Sequence, residues 1–204
     1  MTEYTVSVIA GGWSLIELGV DGRDRIPGHR IGVNDAFTRL RCDTGISMDR
    51  LWVENRWTHL KKLRRPFWAS RNSMRNIGGP SRQWLQEFDY DIEALDLSTE
   101  RGHLNGRNSG HCGLNLAYQI APKRIVLWGF DMGRGPAGET YWHEPYVWAK
   151  ASSGNTPAAE YARWAARFLR PAEQCAQAGI TLLNASPHSQ IIGIPRVDPW
   201  SLLT

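Results

Sequence analysis

The chain has 204 residues, enough for one domain with a sizeable core at roughly 150 residues per domain, and too few for two full ones. With 42% hydrophobic and 22% charged residues it has the composition of an ordinary globular protein, which excludes the disordered and fibrous classes. A net charge of +4 favours a phosphate-bearing ligand without marking the chain as a dedicated nucleic-acid binder.

Tyr4–Ala10 is a β-branched run of strand length that ends at Gly11-Gly12, and Trp13–Ile16 then opens a short helix with Ser14 near its amino end. Arg30–Asn34 reads as a second strand, with Asn34–Phe37 leaving it as a loop. Leu51-Trp52-Val53, within Met48–Val53, is the third candidate strand, followed by the polar cluster Glu54-Asn55-Arg56. The stretch from Lys61 to Gly106 is basic, turn-rich and weakly periodic; a strand at Pro66–Ala69 and a short helix near Ser81–Glu87 are expected inside it.

Regular order returns at Asn108-Ser109-Gly110, where a capping residue precedes Leu114, Leu116, Ala117, Ile120 and Ala121 at roughly helical spacing, and Pro122 stops that helix. Lys123–Trp128 is the best strand of the chain, continuously apolar as a central parallel strand should be, and it ends at Gly129-Phe130-Asp131. Gly133–Gly138 reads as a flexible loop. A second long helix is expected over about Pro157–Gly179 with a kink at Pro171, then a last core strand, Ile180–Asn184, and a Pro-punctuated tail. Alternation of strands and helices predicts an α/β fold: one Rossmann-like domain, a mainly parallel sheet with helices on both faces and a lid loop after Lys123–Trp128.

Several function classes drop out. No stretch approaches the ~18–20 apolar residues of a membrane span, and Met1–Ala10 carries Glu3 and no basic region ahead of its apolar run, so neither a membrane span nor a secretory signal is expected. Cys42, Cys112 and Cys175 are far apart and odd in number, which excludes a disulfide framework and a four-thiolate zinc site and points to a reducing, cytoplasmic setting. There is no HExxH, no GxSxG elbow and no Walker motif. Asp89-Tyr90-Asp91 has the DxD pattern of a divalent-cation site, but three residues in the least regular part of the chain argue weakly, and no metal is assigned.

In such a sheet ligands bind beyond the carboxyl ends of the strands, where Gly11, Gly12 and Ser14, Asn34 and Asp35, Glu54, Asp131, and Asn184 and Ser186 all fall. The glycine turn and the helix start at Asn108-Ser109-Gly110 could each present backbone amides to a phosphate, although a plain tight turn and a plain helix cap read equally well. Tyr141-Trp142-His143-Glu144 lies in the expected lid; an imidazole there could take a proton near neutral pH and its aromatic neighbours could stack on a sugar. His103, His111 and His188 are its rivals. Arg56–Arg82 interleaves basic residues with Trp57, Phe67, Trp68 and Trp84, a pattern that suits nucleic acid or, more blandly, a solvated basic face.

Ile9–Leu15, Ile31–Ala36, Asn108-Ser109-Gly110, Lys123–Met132, Tyr141-Trp142-His143 and Asn184-Ala185-Ser186-Pro187 follow one another in an order that resembles the sialyltransferase-like proteins of bacteria and bacteriophages, similar to glycosyltransferase family 42. The likeness spans nearly the whole chain except a variable segment at about 60–105. The resemblance implies that Gly11, Gly12, Ser14, Asn34, Asp35, Asn108, Ser109, Gly110, Asp131, Asn184 and Ser186 hold a nucleotide-sugar donor, most plausibly a CMP-linked acid sugar. It further implies that His143 deprotonates the acceptor hydroxyl, while Tyr141, Trp142 and Glu54 are the expected lid and substrate-side residues from their places in the chain. No cofactor beyond the donor is expected, the acceptor is left unassigned with a glycan or a modified nucleic acid as the candidates, and a homo-oligomer in the cytoplasm of a bacterium or phage-infected cell is compatible with this reading. A non-catalytic nucleotide- or glycan-binding protein and a phage-type nucleic-acid modifier are the alternatives.

Overall fold

The computed structural model describes residues 4–77, 83–144, 146, 148 and 156–203. Seven strands, β1 Thr5–Ile9, β2 His29–Val33, β3 Thr44–Ser47, β4 Phe67–Ser70, β5 Leu85–Phe88, β6 Arg124–Trp128 and β7 Thr181–Asn184, form one sheet in the order β5-β4-β3-β2-β1-β6-β7. Every pairing is parallel. The helices are α1 Gly19–Asp24, α2 Asp35–Arg39, α3 Arg50–Leu63, α4 Arg71–Met74, α5 Ser109–Ile120, α6 Ala158–Ala166 and α7 Leu169–Gln177, with 3-10 turns at Trp13–Ile16 and Pro199–Leu202. This is a Rossmann-like α/β architecture. Among the described residues, no helix is long and apolar enough to cross a membrane.

Period-two alternation along the central strands builds two cores. Val6, Val8, Ile31, Val33, Ile125 and Leu127 face one side, where α5, Phe168 and Cys175 cover them. Ile9, Val126 and Trp128 face the other, with Leu15, Phe37, Trp52, Val53 and Leu60. Both faces of the sheet are therefore dry, as an all-parallel sheet requires.

Four local expectations are corrected. Asn34–Phe37 is not a loop: Asp35 opens α2, because Phe37 drops onto β2 and β3 where Gly32 and Gly45 have no Cβ to obstruct it. Leu51–Val53 is not a strand but the first turn of α3, capped by Asp49, whose carboxylate accepts the Trp52 amide at 3.1 Å. The third strand is the shorter, fully buried Thr44–Ser47; a brief apolar run does not by itself separate strand from buried helix. The helix expected near Ser81–Glu87 gives way over Leu85–Phe88 to the edge strand β5, which buries only Phe88 fully and so carries little apolar signal; residues 81 and 82 lie outside the described residues. Finally, Pro171 does not break a long helix. The break falls earlier, at Arg167–Phe168, and Pro171 occupies the first turn of α7, where its missing N–H costs nothing.

The chain runs from β1 outward to β5, then returns to place β6 on the opposite side of β1. Loops after β1 and β6 consequently leave in opposite directions and open a crevice at the carboxyl edge between them, the place where such sheets bind ligands.

Candidate functional site

A crevice of about 380 Å³ occupies that switch point. Gly11, Gly12, Asn34, Asn108, Ser109, Gly110, Asp131 and Tyr141 line it, so the ends of β1, β2 and β6 and the start of α5 do meet. Asp49, Arg107, Tyr161 and Trp164 complete the wall and were not legible in the sequence. Arg107 directly precedes the helix cap, and Tyr161 and Trp164 stand three apart on α6; only these spacings could have drawn notice.

Each wall element has a local cause. The Asn108 side chain accepts the His111 amide at 3.0 Å, starting a helix of 12 residues whose first amides, at Ser109 and Gly110, have no acceptor within the helix. Both residues line the crevice, at the positive end of the helix dipole. The Ser109 hydroxyl accepts the Met48 amide at 3.0 Å, tying α5 to the end of β3. At the glycine turn, a Cβ on Gly12 would collide with the Gly129 carbonyl and the Asp131 carboxylate, so β1 and β6 approach here only through glycine. Gly12 spends its amide on the Gly129 carbonyl at 2.9 Å, which corrects the expectation that this amide cradles a phosphate.

Two non-glycine residues of the wall adopt positive φ: Asn34 at 52° and Met132 at 51°. Such conformations are costly and concentrate where function demands them. Asn34 Oδ1 and Asp131 Oδ1 are buried with no hydrogen-bond partner among the described residues. The other Asp131 oxygen accepts the Ser14 amide at 2.9 Å, and burial pushes this carboxyl above its ordinary pKa.

Seven expected contacts lie outside the wall, His143 among them. Ser14 contributes its amide to Asp131 from behind. Asn184 Oδ1 accepts the Ser186 amide at 3.0 Å and Ser186 Oγ accepts the Phe130 amide at 2.8 Å, so both brace the loop after β6. Glu54 belongs to α3 and pairs with Arg50 and Asn76 at its surface, because the segment that carries it is helical. Trp142 packs behind Gly11, donating to the Ala10 carbonyl at 3.2 Å under the Arg23 guanidinium. Asp35 is wholly buried and its oxygens accept from Trp52 Nε1 at 2.9 Å, from Arg56 Nε and Nη2 at 3.0 Å each, and from Arg39 Nε at 3.3 Å. Its oxygens are thus committed to side chains of α2 and α3 rather than to the crevice.

His143 stands one layer behind the wall. The lid is fastened to the glycine turn by the Trp142 amide on the Gly11 carbonyl at 3.2 Å, and the His143 ring lies parallel to the wall residue Tyr141, centroids 5.2 Å apart. Its side chain is 1% exposed. Nδ1 lies 2.9 Å from the Glu144 carbonyl, a contact that requires the proton on Nδ1 and leaves Nε2 as the acceptor; Nε2 is buried beside Gly11, with no partner among the described residues. Burial depresses the His143 pKa, so the ring is neutral at pH 7.

The rival groups sort quickly. His111 is buried against Phe168, ring centroids 4.2 Å apart, and burial pushes its pKa down to about 3. His188 pairs with Glu17 at 2.9 Å and stacks on Trp13. Burial pushes the thiols of Cys42, Cys112 and Cys175 up to about 12, which leaves no thiolate at neutral pH. Asp89 pairs with Arg71 at 3.1 Å while Asp91 caps the turn at Glu93 and Ala94; among the described residues no three His, Cys, Asp or Glu side chains gather as a metal set. In the basic segment Phe67 is fully buried, Trp57 and Trp84 pack on each other and the core, and Arg56 is committed to Asp35.

Fold and crevice together define the class: a Rossmann-like α/β domain with a crevice at its topological switch point. No family model matches the chain, and no match is found among curated proteins or solved structures.

Proposed function

We propose that the protein is a glycosyltransferase that takes a sugar, most plausibly an acid sugar, from a CMP-linked donor and passes it to an acceptor hydroxyl by direct displacement. The observation that carries this reading is the position of the crevice: it lies at the switch point, with Ser109 and Gly110, at the positive end of α5, in its wall. The sequence resemblance to the sialyltransferase-like proteins supplies the donor class.

In this scheme the acceptor oxygen attacks the anomeric carbon as His143 Nε2 takes its proton. The bond from that carbon to the nucleotide's phosphate oxygen breaks, and the α5 amides stabilise the charge that develops on the departing phosphate. Because His143 lies behind Tyr141, the phenol ring turns aside when the acceptor enters. Asn34 Oδ1 and Asp131 Oδ1 accept from hydroxyl or amino groups of the donor. A single-phosphate leaving group needs no bound metal.

His143→Ala is expected to hold CMP with an affinity within about threefold of the parent while donor transfer or hydrolysis falls by roughly 10² to 10⁴. Titration calorimetry with CMP, UMP, GMP and AMP, followed by a donor-turnover assay, makes the test. An unchanged rate would remove His143 as the base. A second reading, a non-catalytic nucleotide- or glycan-binding protein on this scaffold, is favoured by the sealed state of the His143 ring, and nucleotide binding without turnover of any donor would select it.

A further inference from the structure

Asp35 sits at the start of α2 and meets the lid far from it in the chain: its Oδ2 is 3.7 Å from His143 Nδ1, with both side chains essentially buried. A buried carboxylate held by two arginines is an expensive way to join α2 to α3, since apolar packing of the same volume does as well. Its placement against the titratable ring of the lid gives it a second purpose. When Nε2 takes a proton, Nδ1 keeps the one directed at the Glu144 carbonyl, and a full positive charge appears on a ring with 1% exposure. Such a charge is tolerated only beside a fixed opposite one.

We infer that Asp35 is the positioning residue of His143, a carboxylate locked in place by Arg56 and Trp52 so that it stabilises the imidazolium formed as the acceptor is deprotonated; this rests on the transferase reading above. The groups around the ring agree on why one is needed. Arg39 from α2 and Arg56 from α3 both oppose a charge on His143, while Tyr141, Trp142 and Tyr146 of the lid present aromatic rings and Glu144 presents its carbonyl. Asp35 is the carboxylate that offsets the two guanidinium groups. Its own pKa works against burial yet ends below the ordinary value, because Arg56 and Trp52 donate to it, so the charge is present throughout the neutral range.

The test reads the ring itself. In protein carrying ¹⁵N-histidine, with the His143 signals assigned by loss in His143→Gln, Asp35→Asn is expected to lower the His143 pKa by about one unit or more, the size of a nearby opposite charge. With CMP-linked donor, the same variant is expected to lose at least about tenfold in kcat with donor KM unchanged, and to move the acid limb of its pH profile with the ring pKa. Should Asp35→Asn fail to fold, the native protein carries the test: the Asp35 carboxyl ¹³C signal should show an inflection at the His143 pKa. A His143 pKa unmoved within about 0.3 unit in a folded Asp35→Asn, or no such inflection, overturns the inference even if transfer is observed. Coupling between the two signals in a protein that turns over no donor supports the pairing and instead removes the transferase reading.

Discussion

The sequence places Asp35 at the ligand-binding edge and offers His111 as a rival base, and the structure puts both side chains in the interior. For His111 the consequence is thermodynamic. Its folded pKa is depressed to about 3, whereas an unfolded histidine titrates near 6.5, so between those values the unfolded chain binds the extra proton. Stability contributed by the neutral buried ring is complete above about pH 6.5 and is lost as pH falls toward the folded value, by up to several kcal/mol. Asp35, also depressed, adds its loss in the same direction at lower pH. His111→Phe keeps the stack on Phe168 and removes the titration. Urea midpoints at pH 7 and pH 4 should therefore differ markedly less in this variant than in the parent; an undiminished difference would assign the acid sensitivity to other groups.

Element α3 shows how capping outweighs a short apolar run. Leu51-Trp52-Val53 has strand-like composition, but Asp49 accepts the Trp52 amide, and the helix then proceeds to Leu63 with Arg64 closing it in the left-handed region. Asp49→Ala is expected to cost about 1 kcal/mol, seen as a lower thermal midpoint with a native-like circular dichroism spectrum at room temperature. A strand in this place would leave stability unmoved by the same change. The converse lesson comes from Pro171, whose place in the first turn of α7 is a tolerated one that a search for helix breaks misreads. Strands β1, β2, β4, β6 and β7 and helix α5 were legible because burial on both faces or a strong cap wrote them into the local pattern. β5 was not, since an edge strand with one fully buried residue carries almost no period.

At the scale of the whole molecule, the sheet turns the aromatic residues of the basic segment inward. Phe67 is fully buried, and Trp57, Trp68 and Trp84 are partly buried against the core, which leaves less aromatic surface for single-stranded bases than the sequence pattern suggests. With only a small net positive charge to hold a polyanion, the protein is expected to elute from a single-stranded DNA column by about 0.15 M salt. Retention beyond that, falling steeply with salt, would revive a nucleic-acid role.

Sequence by itself determined the α/β class, the glycine turn after β1, the capped start of α5 and the position of the lid, because each is set by interactions among residues within about one element of each other. Tertiary structure alone decided that β6 lies beside β1 and so opens the crevice there. It also decided that Asn184 and Ser186 brace a loop, and that Asp35 and His143 stand 3.7 Å apart. Those facts depend on strand order and on which face a side chain takes, and a one-residue change of register or a different crossover would reverse them while leaving every local pattern in the chain unchanged.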